Sequence, residues 1–206
     1  MNVILDLDNT IINALEEHER EELSAEFQSK FDYKNMIEYG MRVYGRPGLQ
    51  EFLDFLFEHF NVSVFTAAEQ EYAWFIVRKF LLTKPTRKIQ YLLFRYHVDL
   101  AMQRYDGMKD LRLLFYVFRL PNFYPCNTVI IDDLEDVRQS NPDHTIQIKS
   151  FDVAVDGKVV YESIEDNDLQ RVQKILSMLN ERYRQSPCPR QIYVGRNPDA
   201  PSPFVL

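Results

Sequence analysis

The sequence predicts an α/β fold built on a doubly wound, mainly parallel sheet with helices on both faces. Short apolar runs that end in polar residues alternate with segments of helical hydrophobic spacing, the pattern of strands and helices around a parallel sheet. With 206 residues, of which 46% are hydrophobic, the chain is long enough for one sizeable core. We therefore expect a single domain over residues 1–184, with a small insertion after the first strand and a C-terminal hairpin plus helix.

The first predicted strand is an apolar run from Val3 to Leu5 that stops at the acidic segment DLDNT. A wholly apolar run is typical of a parallel strand buried on both faces, so we expect this strand near the centre of the sheet. Residues 14–30 are crowded with charge, and their apolar residues lie near helical spacing. This segment predicts an exposed helix with a solvated face, and hence a helical insertion over residues 13–41.

The rest of the chain continues the alternation of strands and helices. The predicted elements are a strand at 41–44, a helix at 49–60, a strand at 62–65, a helix that begins near Glu69, a loop at 84–88, and strands at 92–95 and 128–131. Asp156-Gly157 between two apolar runs predicts a β-hairpin, and residues 166–184 carry a helical apolar pattern. The Pro-rich residues 185–206 predict an extended tail. The aromatic-rich run 115–124 is interpreted as core packing.

Charge and composition argue against several classes of protein. The chain has 24 Lys and Arg against 31 Asp and Glu, a formal net charge of −7, which disfavours strong nucleic-acid binding through phosphate neutralisation. We expect no membrane span and no leader, because no apolar run approaches about 18 residues and the chain starts with a strand. Cys126 and Cys188 lack metal-ligand spacing and are expected to be reduced thiols. A soluble intracellular protein of the nucleus or cytoplasm is the resulting expectation.

Polar side chains follow three of the predicted strands. Asp6 and Asp8 follow the first strand, Thr66 follows the third, and Asp132 and Asp133 end the last. Because ligands of open parallel sheets bind beyond the carboxyl ends of the strands, we expect these side chains to converge. Four carboxylates at one place repel one another, so a divalent cation with oxygen ligands is the natural compensation. The expected cofactor is Mg²⁺.

The same residue types are suited to phosphoryl transfer. Asp6 and Asp8 lie two residues apart, which on a continuing strand puts both carboxylates on one face. One could then attack phosphorus while the other exchanges a proton with the leaving group. A hydroxyl at Thr66 and an ammonium at Lys109 would donate to the phosphoryl oxygens, where negative charge collects. The residues therefore predict a magnesium-dependent phosphatase.

Four motifs carry a family resemblance. VILDLDNT resembles the DxDxT signature of haloacid dehalogenase superfamily phosphatases, and VFTA, GMKDL and VIIDD resemble their second, third and fourth motifs. The segments YGRPGLQEFLDFL, VFTAAEQEYA, LFR, and MKDL followed by VIIDDLEDV are similar in order and spacing to the NLI-interacting-factor-like phosphatases of the RNA polymerase II C-terminal domain (CTD). The resemblance covers most of residues 2–152 and implies a haloacid dehalogenase-like Rossmannoid fold.

The resemblance also implies a role for each matched carboxylate. Asp6 would form an aspartyl-phosphate and bind Mg²⁺. Asp8 would protonate the leaving alkoxide, later activate water, and offer its backbone carbonyl to the metal. Asp132 and Asp133 would hold the ion and its waters, and Thr10 is expected to order the loop.

Substrate binding is implied for three residues. Thr66 and Lys109 would bind the phosphoryl group, and Arg95 aligns approximately with a substrate-contacting arginine. Two positions depart from the family pattern, because Asn9 stands where Glu is common and Glu69 where an apolar residue is common. In the small polymerase-tail phosphatases a β insertion after the first motif carries an apolar pocket for a substrate proline, and the helix predicted here argues against that pocket.

Three functions are compatible with this resemblance. The leading hypothesis is a phosphatase that hydrolyses phosphoserine or phosphothreonine in proteins or peptides, with the RNA polymerase II CTD as a candidate substrate. The alternatives are a small-molecule or polynucleotide-end phosphatase of the same superfamily, and a catalytically silent scaffold of the same fold. Intact Asp6 and Asp8 argue against the scaffold. The compact chain, without an evident accessory domain, resembles members from large cytoplasmic DNA viruses.

Overall fold

The computed structural model describes residues 1–187 and 204–205, and its central element is a six-stranded sheet. The described strands are β1 (Asn2–Leu5), β2 (Ile12–Leu15), β3 (Tyr33–Met36), β4 (Met41–Gly45), β5 (Asn61–Phe65), β6 (Tyr91–Leu93), β7 (Thr128–Asp132), β8 (Thr145–Gln147), β9 (Ala154–Val155), β10 (Lys158–Val159) and β11 (Phe204–Val205). The sheet has the order β11-β6-β5-β1-β7-β8, with β11 antiparallel to β6 and the other neighbours parallel. The predicted α/β class is confirmed, and β1 is central.

Helices cover both faces of this sheet. They are α1 (Ala25–Gln28), α2 (Leu49–His59), α3 (Gln70–Ile76), α4 (Arg95–Tyr105), α5 (Glu135–Ser140) and α6 (Asp168–Gln185). Val3 and Leu5 pack in one buried cluster with α2, α3 and α6, whereas Ile4 packs in another with α4 and α5. Successive side chains of a strand point to opposite faces, so the apolar run of β1 supplies both cores. Within the described residues, the helices fall short of the length and apolar character that a membrane crossing needs.

Most predicted elements of the central region are present. β4, α2, β5, α3 and β7 lie where the sequence predicts them, and α3 continues as a π-helical turn over Val77–Leu81. The strand predicted at 92–95 ends earlier, because α4 already begins at Arg95. The structure also contains α4, α5, β8 and a π-helical turn at Leu113–Val117, which have no counterpart among the predicted elements. The aromatic run is core as expected, with Phe115, Phe118 and Phe123 buried.

The helical insertion predicted for 13–41 is wrong. This segment forms β2, the four-residue α1, β3 and two short 3₁₀ turns, and with β4 it makes a three-stranded antiparallel sheet in the order β2-β4-β3. The apolar residues whose spacing suggested a helix, Leu15, Leu23 and Phe27, are buried in a third cluster with Phe151. Packing against the C-terminal part of the chain and pairing with β4 therefore override the local pattern.

The C-terminal region follows the prediction where it is described. β9 and β10 form the hairpin, and Asp156 and Gly157 both have positive φ, 50° and 74°, as a two-residue primed turn requires. The predicted helix 166–184 is α6. Of the predicted tail, residues 188–203 and 206 lie outside the described residues, and the assignment of one domain stays a prediction. Cys126 is disulfide-bonded, so the prediction of a reduced thiol is wrong for this residue.

Candidate active site

Three predicted site residues follow neighbouring parallel strands. In the strand register, Leu5 lies beside Val64 on one side and Ile131 on the other, so β1, β5 and β7 end at the same edge of the sheet. Asp6 follows β1, Thr66 follows β5, and Asp132 ends β7. All three are buried, with relative exposures of 4%, 1% and 0%. Their burial in the centre of the sheet follows from the parallel topology.

Lys109 joins two of these carboxylates. Its Nζ lies 2.6 Å from Oδ1 of Asp6 and 2.7 Å from Oδ2 of Asp132, and its side chain is 1% exposed. Burial alone would lower the pKa of the ammonium, but Asp6 and Asp132 outweigh it and raise the pKa. Lys109 also has a left-handed backbone, φ 49°, which is costly for a residue with a Cβ. The paired contacts hold this lysine in a charged state.

The carboxylates of Asp6, Asp132 and Asp133 form a group that could hold a cation. One oxygen from each lies within 4.8 Å of the others, and the ammonium of Lys109 pairs with two of the three carboxylates, those of Asp6 and Asp132. Burial and the neighbouring Asp6 raise the pKa values of Asp132 and Asp133. Surplus negative charge among hard oxygen donors is what a site for Mg²⁺ needs, so these residues fit that ion.

Thr10 bridges two members of this group. Its Oγ1 lies 3.1 Å from Oδ2 of Asp6 and 3.0 Å from Oδ1 of Asp133. A hydroxyl has one proton, so it donates fully to only one of two ionised carboxylates at a time. The expected ordering role of Thr10 thus involves two candidate metal ligands directly.

Asp8 is not a member of the three-carboxylate group, and its carboxylate has a partner on α3. The hydroxyl of Tyr72, on α3, donates a 2.5 Å hydrogen bond to Oδ1 of Asp8. The pKa of Asp8 is raised to about 6, mainly by burial, with a further rise from Asp6 and opposing contributions from Tyr72 and Lys109. The pKa of Tyr72 is also raised, first by burial and then by Asp8, so this phenol stays a donor. Asp8 can therefore change its protonation state near neutral pH.

Tyr72 is absent from the residues that the sequence predicted. It lies within the VFTAAEQEYA segment, six residues after Thr66. Its place in a segment similar to the family is the feature of the sequence that points to Tyr72. An isolated tyrosine on a helix gives no sign of its partner, because Asp8 is 64 residues away in the chain.

The other phosphoryl-binding and substrate-binding candidates lie close to β5 and β6. The hydroxyl of Thr66 accepts a 3.1 Å hydrogen bond from the N–H of Ala68, whose carbonyl accepts one of 2.9 Å from the N–H of Arg95. The Arg95 side chain is 51% exposed and pairs with Glu69 at 3.9 Å rather than with the three carboxylates. The structure thus brings Arg95 to the segment after Thr66, while Lys109 contacts the carboxylates directly.

The departure at Asn9 has a structural reason. Asn9 has a left-handed backbone, φ 58°, which asparagine tolerates better than glutamate. Its side-chain amide donates a 2.5 Å hydrogen bond to Asp152, and its carbonyl accepts one of 2.6 Å from the N–H of Phe151. Asn9 therefore ties the loop after β1 to the C-terminal part of the chain.

The chain is similar in sequence to one family of phosphatases and to two viral proteins. Residues 1–186 match the sequence model of the NLI interacting factor-like phosphatases. The CTD phosphatase-like protein 355R of Invertebrate iridescent virus 6 is 39% identical over 182 residues, which cover 85% of this chain and 97% of the relative. The protein of the same name from Invertebrate iridescent virus 3 is 32% identical over 185 residues, with 84% and 94% covered. The expected similarity to viral members is confirmed.

Solved structures agree on the fold. The structure of Fcp1, an essential RNA polymerase II CTD phosphatase, superposes with a TM-score of 0.60 at 19% identity, over 90% of this chain and 63% of that one. Fission yeast Fcp1 bound to beryllium fluoride gives a TM-score of 0.51 at 20% identity, over 91% and 52%. The chain thus spans about half to two thirds of these structures. At such identities the likeness establishes the α/β fold, and the family match over residues 1–186 establishes that the chain belongs to the NLI interacting factor-like phosphatase family.

Proposed function

We propose that this protein is a magnesium-dependent phosphatase that hydrolyses phosphoserine or phosphothreonine in proteins, of the RNA polymerase II CTD phosphatase type, with Asp6 as the nucleophile. The observation that carries the proposal is the contact of Lys109 with both Asp6 and Asp132, at 2.6 and 2.7 Å, beside a three-carboxylate group at the carboxyl edge of the sheet. This arrangement supports the proposal, because a nucleophile, a fixed positive charge and metal ligands would act at one position.

The carboxylates of Asp6, Asp132 and Asp133 would hold the metal, with the backbone carbonyl of Asp8 as a further ligand. When bound, Mg²⁺ supplies positive charge that neutralises the phosphoryl oxygens. Lys109 supplies a fixed positive charge at the same place, since both its carboxylate partners keep it protonated.

The reaction has two displacements at phosphorus. In the first, the carboxylate of Asp6 attacks phosphorus, the bond between phosphorus and the serine or threonine oxygen breaks, and Asp8 gives its proton to the leaving alkoxide. In the second, ionised Asp8 takes a proton from water, the water oxygen attacks the aspartyl-phosphate, and the bond to Asp6 breaks to release phosphate. Lys109 and the hydroxyl of Thr66 bind the phosphoryl oxygens in both steps.

Asp8 is suited to serve both steps. A general acid that later acts as a base works best when its pKa lies near the working pH, and burial raises the pKa of Asp8 to about 6. The hydrogen bond from Tyr72 fixes the direction of the carboxylate without supplying a competing base.

The proposed substrate is a phosphorylated protein segment, with the CTD as the candidate. Two relatives are named as CTD phosphatase-like proteins, which supports this choice. The side chain of Arg95 is half exposed and makes only a long, 3.9 Å ion pair with Glu69. Its guanidinium could therefore contact a bound peptide. For such a substrate, the proposed location is the nucleus or cytoplasm.

The test measures phosphate release with and without Mg²⁺ from an aryl phosphate and from phosphorylated CTD heptad-repeat peptides, for the wild type and Asp6→Asn. We expect Mg²⁺-dependent release from both substrates and its loss in the variant. Turnover of the aryl phosphate with inert peptides would favour a small-molecule phosphatase instead. Activity that persists in Asp6→Asn would remove Asp6 as the nucleophile.

A further inference from the structure

Arg46 is a buried cation that the proposed reaction does not use. It follows β4, and its side chain is 0% exposed. Nε and Nη2 each donate a 2.8 Å hydrogen bond to the carboxylate of Asp166, and Nη1 donates to the backbone carbonyls of Thr10 at 2.8 Å and Lys149 at 2.9 Å. A bidentate pair with a carboxylate fixes the plane of a guanidinium. The pair with Asp166 therefore also sets the direction of the two hydrogen bonds that Nη1 donates to the carbonyls of Thr10 and Lys149.

Thr10 connects this arginine with the candidate metal ligands. Its carbonyl is held by Arg46, while its hydroxyl contacts Asp6 at 3.1 Å and Asp133 at 3.0 Å. The backbone N–H of Arg46 also donates a 3.0 Å hydrogen bond to the carbonyl of Ile11. Arg46 thus holds the carbonyls of Thr10 and Ile11, two successive residues of the loop after β1. Thr10 is also the residue whose hydroxyl contacts both carboxylates.

We propose that Arg46 and Asp166 form a positioning pair for the magnesium site. The pair fixes the loop, the loop fixes the hydroxyl of Thr10, and the hydroxyl sets the separation of Asp6 and Asp133. Asp166 lies 120 residues beyond Arg46, between the C-terminal hairpin and α6. The C-terminal part of the chain thereby supports metal affinity without touching the metal. This inference rests on the proposed function in taking the three-carboxylate group as the magnesium site.

The chain offers a matched control in a second buried arginine. The side chain of Arg87 is 1% exposed and pairs with Asp54 at 2.8 Å. Its guanidinium also donates to the carbonyls of Gln50 at 2.9 Å and Leu81 at 3.2 Å. Arg87 resembles Arg46 in burial and in its mixed carboxylate and carbonyl partners, but its contacts join the loop before β6 to α2 and involve no residue of the carboxylate group.

The experiment titrates Mg²⁺ into the full chain by isothermal titration calorimetry for the wild type, Arg46→Lys, Asp166→Asn and Arg87→Lys, with thermal unfolding of each. Outer residues that orient metal ligands commonly contribute about 10–100-fold in metal affinity. We expect Arg46→Lys and Asp166→Asn to weaken Mg²⁺ binding within this range. Arg87→Lys should lower the unfolding midpoint but keep the wild-type affinity. Asp166→Asn retains the shape of the pair and serves if Arg46→Lys does not fold.

A double-variant cycle tests the route through Thr10. If Arg46 acts through the Thr10 hydroxyl, Arg46→Lys combined with Thr10→Val should bind Mg²⁺ no more weakly than Thr10→Val alone. The proposal would be overturned if Arg46→Lys or Asp166→Asn folds and binds Mg²⁺ with wild-type affinity. It would also be overturned if these variants lose no more Mg²⁺ affinity than Arg87→Lys does. These results are independent of the phosphatase assay of Asp6→Asn, so failure of this inference differs from failure of the proposed function. Absence of Mg²⁺ binding by the wild type would overturn the metal site in both.

Discussion

The hydroxyl of Tyr72 donates a 2.5 Å hydrogen bond to the carboxylate of Asp8. This contact joins the helix after the second motif to the proposed acid and base of the first motif. The hydrogen bond favours the ionised form of Asp8 and so lowers the pKa of this carboxyl, whereas burial raises it. Burial is the larger effect, and the resulting pKa of Asp8 is about 6. The pH dependence of the enzyme should therefore report on Tyr72.

Replacement of Tyr72 by Phe removes a hydrogen bond that lowers the pKa of Asp8. A hydrogen bond to a charged group contributes about 1.5 kcal/mol or more, which corresponds to roughly one pKa unit. Because the first step needs protonated Asp8, the alkaline limb of the kcat/KM profile should move upward by about one pH unit. Phe75→Leu, on the same helix, is the control. An unchanged profile in Tyr72→Phe would separate Tyr72 from the chemistry.

Replacement of Lys109 by Met should destabilise the protein as well as inactivate it. It leaves Asp6 and Asp132 buried without their ammonium partner, and removing one member of a buried ion pair commonly costs about 3–5 kcal/mol. Urea unfolding without Mg²⁺ measures the loss. Lys84→Met, at an exposed pair with Asp54, should show no comparable loss. Equal stability of the two variants would contradict the buried charge arrangement.

The metal-free protein should lose stability as pH rises from about 4 to about 7. Folding raises the pKa of Asp8 to about 6 and that of Asp132 and Asp133 above the ordinary value, through burial and Asp6. A carboxyl whose pKa is raised by folding binds its proton more tightly when folded. The resulting stability is complete below the unfolded-state pKa, near 4, and is lost as pH passes the folded-state pKa.

Mg²⁺ should oppose this loss, since a cation that binds only the folded state stabilises it, and binds best to ionised carboxylates. Thermal unfolding between pH 4 and about 7, with and without Mg²⁺, measures both effects. The midpoint should fall with pH in the absence of metal, and the stabilisation by Mg²⁺ should grow with pH. A metal-free midpoint that rises over this range would contradict the pKa directions.

Most of the central sheet and its polar edge could be predicted from the sequence. β1, β5 and β7 are short apolar runs bounded by polar residues, a local pattern that survives folding because these strands are buried on both faces. The order of the motifs predicts Asp6, Thr66, Lys109 and Asp132 as site residues at this edge. Local pattern and tertiary structure agree in this part of the chain.

The insertion and two of the partner residues could not be predicted in this way. Helical spacing of Leu23 and Phe27 reflects a shared buried cluster with Phe151, which is remote in sequence. The pairing of Tyr72 with Asp8 and of Arg46 with Asp166 likewise joins segments far apart in the chain. Such partners are set by the folded arrangement and leave no periodic signal.

Asn9 provides a prediction about the departure from the family pattern. Glutamate at this position would meet the carboxylate of Asp152 in a left-handed backbone conformation. Asn9→Glu should therefore lower the free energy of unfolding by about 1–2 kcal/mol. The same change combined with Asp152→Asn should recover part of the loss, as chemical denaturation would show. A stability of Asn9→Glu equal to the wild type would contradict the role of the Asn9–Asp152 hydrogen bond.

Covalent trapping at Asp6 tests the central claim most directly. In Asp8→Asn, an aryl phosphate still has a good leaving group, so the first displacement proceeds while the second lacks its base. After incubation with Mg²⁺ and acid quenching, tandem mass spectrometry should find one added phosphoryl group on Asp6, and none in Asp6→Asn combined with Asp8→Asn. A phosphoryl group on another residue would contradict Asp6 as the nucleophile. So would unmodified Asp6 in Asp8→Asn protein that still hydrolyses the aryl phosphate.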